Sequence, residues 1–182
     1  MKMIRRVLLG CAFACASAPA SAAVVIPADL GELSREALMI VRGRVVALDA
    51  RWTDDHRRVE TVVTLEAESY LKGAFGPVLQ FRVPGGRLGR YRSLLVGAPE
   101  FVVGQRVVVF LAARGPAVPF VLGLGQGVFR IVPGPGGLVV TPPAMLPAAG
   151  GPAGIVRGDP ARRPLPLADF ERQVRALAGA AR

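Results

Sequence analysis

Cysteine is almost missing from this 182-residue chain, and its position limits what the chain can do. Both copies, Cys11 and Cys15, fall within the first 22 residues. Those residues read MKMIRRVLLGCAFACASAPASA. Lys2, Arg5 and Arg6 make a positive start, and Val7 to Ala16 is a short apolar core. Ala18-Pro19-Ala20-Ser21-Ala22 then supplies small residues before a cut after Ala22. This is the pattern of a secretory signal, so export to the periplasm or beyond is expected. The mature part would hold no cysteine, which excludes a disulfide, a thiolate nucleophile and a cysteine metal site. The apolar run is shorter than the ~18–20 residues that span a bilayer, so no transmembrane segment is expected after cleavage. Leu8-Leu9-Gly10-Cys11 is lipobox-like, but a cut there leaves few apolar residues before it, which argues against lipid anchoring.

Histidine occurs once, as His56, and lysine only at Lys2 and Lys72. His56 stands in Asp54-Asp55-His56-Arg57. A zinc site needs three or four ligands, and Arg57 and Arg58 oppose a cation there. Asp54 and Asp55 lack the alternate spacing of a calcium loop. A Ser–His–Asp triad would have to join His56 to Ser34, Ser69 or Ser93, none of which stands in Gly-x-Ser-x-Gly. Ser–Lys catalysis would depend on Lys72 alone. Glu66 and Glu68 sit roughly 7 Å apart on one strand face, a spacing that can serve glycoside hydrolysis but is ordinary for a solvent-facing strand. Aromatics are few, at 6% of the chain. Trp52, Tyr70 and Tyr91 could stack a ligand or pack a core edge. No cofactor or metal is expected, and no catalytic constellation is recognisable.

What is abundant is arginine. The formal charge is +10, and loss of Lys2, Arg5 and Arg6 with the signal leaves +7. Such a protein is drawn to anionic envelope components or acidic proteins. Nucleic acid is not an expected partner, because no basic patch is interleaved with stacking aromatics. Oligomeric state is not legible.

The remaining chain reads as one domain with mainly β structure. Asp29–Ala37 suggests a short helix. Met39–Leu48 is a strand bent or bulged at Gly43, and Val59–Leu71 returns as its hairpin partner through the polar turn at Thr53–His56. In the return strand, Thr61, Val63, Leu65, Ala67 and Ser69 share one face, and Glu60, Val62, Thr64, Glu66 and Glu68 the other. Val78–Val83 and Tyr91–Val96 are the third and fourth strands. Gln105–Ala112 is apolar throughout and should be central, buried on both faces. Val118–Leu122, Val128–Val132 and Leu138–Thr141 complete the set. Leu167, Phe170, Val174 and Leu177 recur at helical spacing in Leu165–Leu177. The expected fold is therefore mainly β (α+β). It is a small closed antiparallel β-barrel with a short N-terminal helix and a C-terminal amphipathic helix. The expected organisation is a signal peptide over 1–22 and a barrel over 23–141. A Pro/Gly-rich surface segment over 142–164 and a helix docking on the barrel over 165–182 complete it.

Val83–Arg90, VPGGRLGR, has the composition of a phosphate cradle. It lacks Gly-Lys-Ser/Thr, and a strand rather than a helix follows. The expectation is a turn or bulged hairpin that uses glycine for positive φ. Its arginines Arg82, Arg87, Arg90 and Arg92 could meet carboxylates in bidentate fashion, and so form a contact surface. Arg51, Trp52, Arg57 and Arg58 at the other turn are the second candidate surface.

Ile40-Val41-Arg42-Gly43-Arg44-Val45-Val46, Arg51-Trp52 and Tyr70-Leu71-Lys72-Gly73 resemble, in that order, a group of uncharacterised exported bacterial proteins. Val83-Pro84-Gly85-Gly86, Gly97-Ala98-Pro99 and Gly104–Leu111 extend the resemblance, which covers Leu30–Val132. The Gly43-Arg44-Val45 strand and the Gly-x-x-Val-x-x-Phe-Leu strand are more weakly similar to netrin-like and tissue-metalloproteinase-inhibitor modules. That resemblance implies an OB-type barrel and an exported life. Those inhibitors present an N-terminal cysteine to a protease zinc, a mechanism that a cysteine-free mature chain cannot use. The functional expectation is an exported, non-enzymatic binding module. The alternatives are an inhibitor of an exported protease, or a carboxylate-dependent hydrolase.

Overall fold

A computed structural model describes residues 28–115, 117–143 and 163–179. The expected signal at 1–22 and all but the ends of the 142–164 segment lie outside the described residues.

The elements run in chain order as α1 (Leu30–Glu36), β1 (Met39–Trp52), β2 (Val59–Lys72), β3 (Val78–Pro84), β4 (Gly86–Leu88) and β5 (Tyr91–Ser93). They continue as β6 (Arg106–Ala112), β7 (Phe120–Val121), β8 (Val128–Gly134), β9 (Gly137–Thr141), β10 (Leu165–Pro166) and α2 (Leu167–Gly179). The order β1-β2-β3-β7-β6, with β6 also paired to β1, closes a five-stranded barrel. Its pairings are antiparallel except for β3 with β7, which is parallel through Arg82 and Phe120. Beyond the barrel, β8, β9 and β10 extend the sheet from β6. The small OB-like barrel with a helix near each end of the described chain is thus the fold that forms.

Closure requires β1 to bend. Its register with β2 shifts at Ile40/Val41, Arg42/Gly43 and Val45/Ala47. Gly43 lies at the middle shift, where a Cβ would stand 2.3 Å from the Glu66 carbonyl oxygen and 2.9 Å from Leu65 Cγ. Only glycine lets the two strands approach this closely.

Side-chain alternation along β6 then creates two cores. Val107, Val109 and Leu111 point into the barrel with Val41, Val63 and Phe81. Val108 and Phe110 point outward to Phe129, Ile131 and the helices. That is the two-sided burial expected for this strand. The outer core is closed by Phe170, Val174 and Ala178 of α2 and by Leu33 of α1.

A seven-residue helix cannot hold itself in water. Asp29 Oδ1 accepts the Glu32 N–H at 2.6 Å and caps the start of α1. At the other end, Lys72 Nζ donates to the Ser34 and Arg35 carbonyls, both at 2.8 Å, where the helix dipole favours a cation.

The chain departs from expectation after β3. Tyr91–Val96 does not become a barrel strand. Only Tyr91–Ser93 is extended, and it pairs with Gly86–Leu88 in a separate two-stranded sheet. Consecutive positive φ values at Gly85 (94°) and Gly86 (141°) turn the backbone away from the free edge of β3, so the barrel position next to β3 falls to β7. The short β10, which pairs Leu165 with Val140 and Pro166 with Val139, has no periodic signal in the sequence.

Candidate contact site at the barrel mouth

The two turns singled out in the sequence come together in space. The β1–β2 hairpin projects beyond the barrel, and the β4–β5 hairpin folds against it. Gly85 N–H donates to the Val59 carbonyl at 2.9 Å, and the Thr61 hydroxyl donates to the Gly85 carbonyl at 2.8 Å. Further out, the rings of Trp52 and Tyr91 meet edge to face with centroids 5.3 Å apart. Trp52 is thus a clasp between hairpins.

The arginines divide into four sets. Arg51 and Arg82 are taken up by Glu60. Arg51 Nε lies 3.0 Å from Glu60 Oε1, and Arg82 Nη1 lies 3.7 Å from Oε2. Glu60 is only 8% exposed, so the solvent-facing glutamate expected at this position is instead a buried ion-pair centre. Arg90 lies over the Tyr91 ring, 5.2 Å from its centroid, and reinforces the hairpin tip. Arg57 and Arg58 are exposed at the β1–β2 turn. The fourth set is Arg87 and Arg92. They stand directly opposite each other across β4 and β5 and are exposed. Among the described residues no carboxylate lies within ion-pair distance of either. Facing like charges on adjacent strands repel, so the hairpin carries an uncompensated positive pair.

Arg87 and Arg92 border a cleft of about 570 Å³. Its floor is the inner face of the projecting hairpin, with Leu48, Ala50 and Val83, and its far wall is the loop from Leu94 to Val102. Phe101 anchors this loop by packing its ring on Phe81, centroids 5.5 Å apart, at the barrel core. The loop leaves Leu94 70%, Val96 76% and Val102 67% exposed. A second cavity, of about 370 Å³, lies between α1 and α2, with Pro142 and Arg163 on its rim.

Several of the residues considered for catalysis are engaged in structural bonds. Glu68 accepts from Arg106 Nε at 2.8 Å and Nη2 at 2.5 Å, and lies 3.2 Å from Arg42 Nε. The Arg106 bonds are the main reason its carboxyl is held below the ordinary glutamate value of 4.5, while partial burial opposes the shift. Glu66 is exposed and apart from this network. Arg42 continues the network to Glu171 of α2 at 2.5 Å. At the β1–β2 turn, Asp55 Oδ1 accepts from the Thr53 hydroxyl at 2.5 Å and from Arg57 N–H at 3.2 Å. The Thr53 bond, above all, lowers the Asp55 pKa. His56 sits beside it at φ 54°, exposed at the turn. Among the described residues no three His, Cys, Asp or Glu side chains gather as a metal-holding group. Ser34 Oγ donates to the Leu30 carbonyl at 2.6 Å, and Ser69 Oγ accepts from Arg175 at 3.3 Å. Tyr70 holds the β2–β3 loop by donating to the Gly76 carbonyl at 2.7 Å. No helix of the described residues is long and apolar enough to cross a membrane.

The apolar wall Leu94–Val102 escaped the sequence reading. Its signal is the run Leu94-Leu95-Val96 followed by Phe101-Val102-Val103 across Gly97-Ala98-Pro99, too many large apolar residues for a solvated loop. Comparisons with family models, with curated proteins and with solved structures give no match.

Proposed function

We propose that this chain is an exported, non-enzymatic binding module, and that it meets its partner, a protein or an anionic envelope component, through the barrel mouth. The observation that carries the reading is the pair Arg87 and Arg92. Among the described residues no carboxylate lies within ion-pair distance of either, and they stand beside an apolar loop that the fold leaves uncovered. A guanidinium pair of this kind suits a bidentate acidic group on a partner. The reading is further supported by the engagement of Lys72, Ser34 and Glu68 in structural bonds. Arg57 and Arg58 stand exposed at the neighbouring turn beside Asp54 and Asp55, whereas Arg51 and Arg82 are spent on Glu60.

The test is capture from native cell envelope by the purified protein at low salt and at ~150 mM, where the Debye length falls to ~8 Å. A discrete partner should survive the higher salt and be lost on Arg87→Ala with Arg92→Ala. Heterogeneous capture that vanishes with salt, and is the same for the double variant, would overturn the reading.

A further inference from the structure

We infer that the barrel mouth is a binding site for a single-chain anionic amphiphile. Arg87 and Arg92 hold its head, and its chain lies in the cleft. The inference rests on the reading of those arginines as contact groups and adds the chemistry of what they contact.

The argument begins with shape. A cleft of about 570 Å³ falls within the ~300–1,000 Å³ of small-molecule sites, and the mouth of a β-barrel is a common place for one. Its lining is mostly apolar, with Leu48, Ala50, Val83, Leu95, Phe101 and Val102. Few polar groups are free to orient a ligand. The Thr61 hydroxyl is committed to the Gly85 carbonyl. Glu100 is on the rim, and its backbone carbonyl accepts from Arg130 at 3.2 Å. The charge bordering the cleft therefore stays positive, two guanidiniums against one carboxylate.

Each part of the site excludes a class of ligand. A small inorganic anion would satisfy the arginines and leave the apolar walls wet. A neutral hydrocarbon would cover the walls and leave two facing guanidiniums repelling each other. A cationic amphiphile would add to that repulsion. An alkyl chain with a forked anionic head satisfies both parts, because a carboxylate matches the guanidinium fork. The exposure of Leu94 and Val102 on the loop gives such a chain apolar surface to cover.

The experiment is calorimetric titration of the full chain with dodecanoate, dodecanol and dodecyltrimethylammonium, each below its aggregation concentration. Dodecanoate should bind tighter than dodecanol by roughly tenfold or more, the value of a charge-assisted contact to arginine. The cation should bind weakest. Arg87→Ala with Arg92→Ala should erase the advantage over dodecanol. Val102→Asp, at an exposed loop position that should not affect folding, should weaken dodecanoate and strengthen the cation. Equal binding of dodecanoate and dodecanol, or an advantage that survives the double arginine variant, would overturn the inference. Partner capture from the envelope that persists while dodecanoate gains nothing removes the amphiphile site and leaves the contact surface standing. Dodecanoate binding without discrete capture does the reverse.

Discussion

Glu60 and Glu68 lie on the same strand, and each is met by one arginine from β1 and one from another neighbouring element. Glu60 binds Arg82 of β3 together with Arg51, and Glu68 binds Arg106 of β6 together with Arg42. Neither partnership is visible in VETVVTLEAES, where the glutamates read as the wet face of a hairpin. The alternation itself was legible, and Val63 and Leu65 do enter the core. What the sequence could not supply is which strand follows β3 in the barrel and which one closes on β1. Glu68 also makes a pH prediction. Its pKa is depressed in the fold, so its contribution is complete above the unfolded value and is lost as pH falls through the lower folded value. Urea midpoints should therefore drop on acidification below the ordinary 4.5. Glu68→Gln should start lower at neutral pH and show a shallower acid decline. An identical decline in both proteins would assign the acid sensitivity to other carboxylates.

At the scale of elements, periodicity served well wherever an element packs on the core. β2, β3, β6 and both helices stand close to their expected bounds, β1 runs past its expected end at Leu48 to Trp52, and the close approach at Gly43 follows from a glycine inside a β-branched run. It served poorly where backbone conformation overrode it. Leu94–Val96 continues the pattern of Tyr91–Ser93, but Gly85 and Gly86 have already turned the chain off the barrel. Gly86 makes this testable. Its φ is 141°, and a Cβ would stand 2.4 Å from Thr61 Oγ1. Gly86→Ala should cost about 1–3 kcal/mol in chemical denaturation, from left-handed strain and from the lost hairpin seat. Since Trp52 is the chain's one tryptophan and meets Tyr91 across the hairpins, its emission should shift as the clasp loosens. Unchanged emission with unchanged stability would mean that the β4–β5 hairpin is held elsewhere.

For the whole molecule, the candidate site is assembled from pieces that carry no motif. The arginines were legible as types and positions. Their separation into paired and unpaired sets required the register that brings Glu60 between Arg51 and Arg82. The cleft required the β4–β5 hairpin and the Leu94–Val102 loop to face each other across the projecting β1–β2 hairpin. Net charge reads directly from composition and bears on association and solubility rather than on fold.

The barrel is closed by a narrow seam. β1 and β2 stay paired, through three register shifts, from Ile40 with Lys72 to Trp52 with Val59, whereas β3 meets β7 only through Arg82 and Phe120. One backbone bond there, from Arg82 N–H to the Pro119 carbonyl at 2.8 Å, lies outside the strand ladder. Native-state stability is not uniform, and opening follows the line with the fewest bonds. The cylinder should therefore breathe at this seam, while the β1–β2 sheet stays shut. In deuterium exchange, the Arg82 amide should lose protection well before the amides of Val63 and Leu65 in β2. Uniform protection across all three would show that the barrel opens only by unfolding as a whole. Val83, one residue along from the seam, forms part of the cleft floor, so each such opening would also loosen the base of the site beside Arg87 and Arg92.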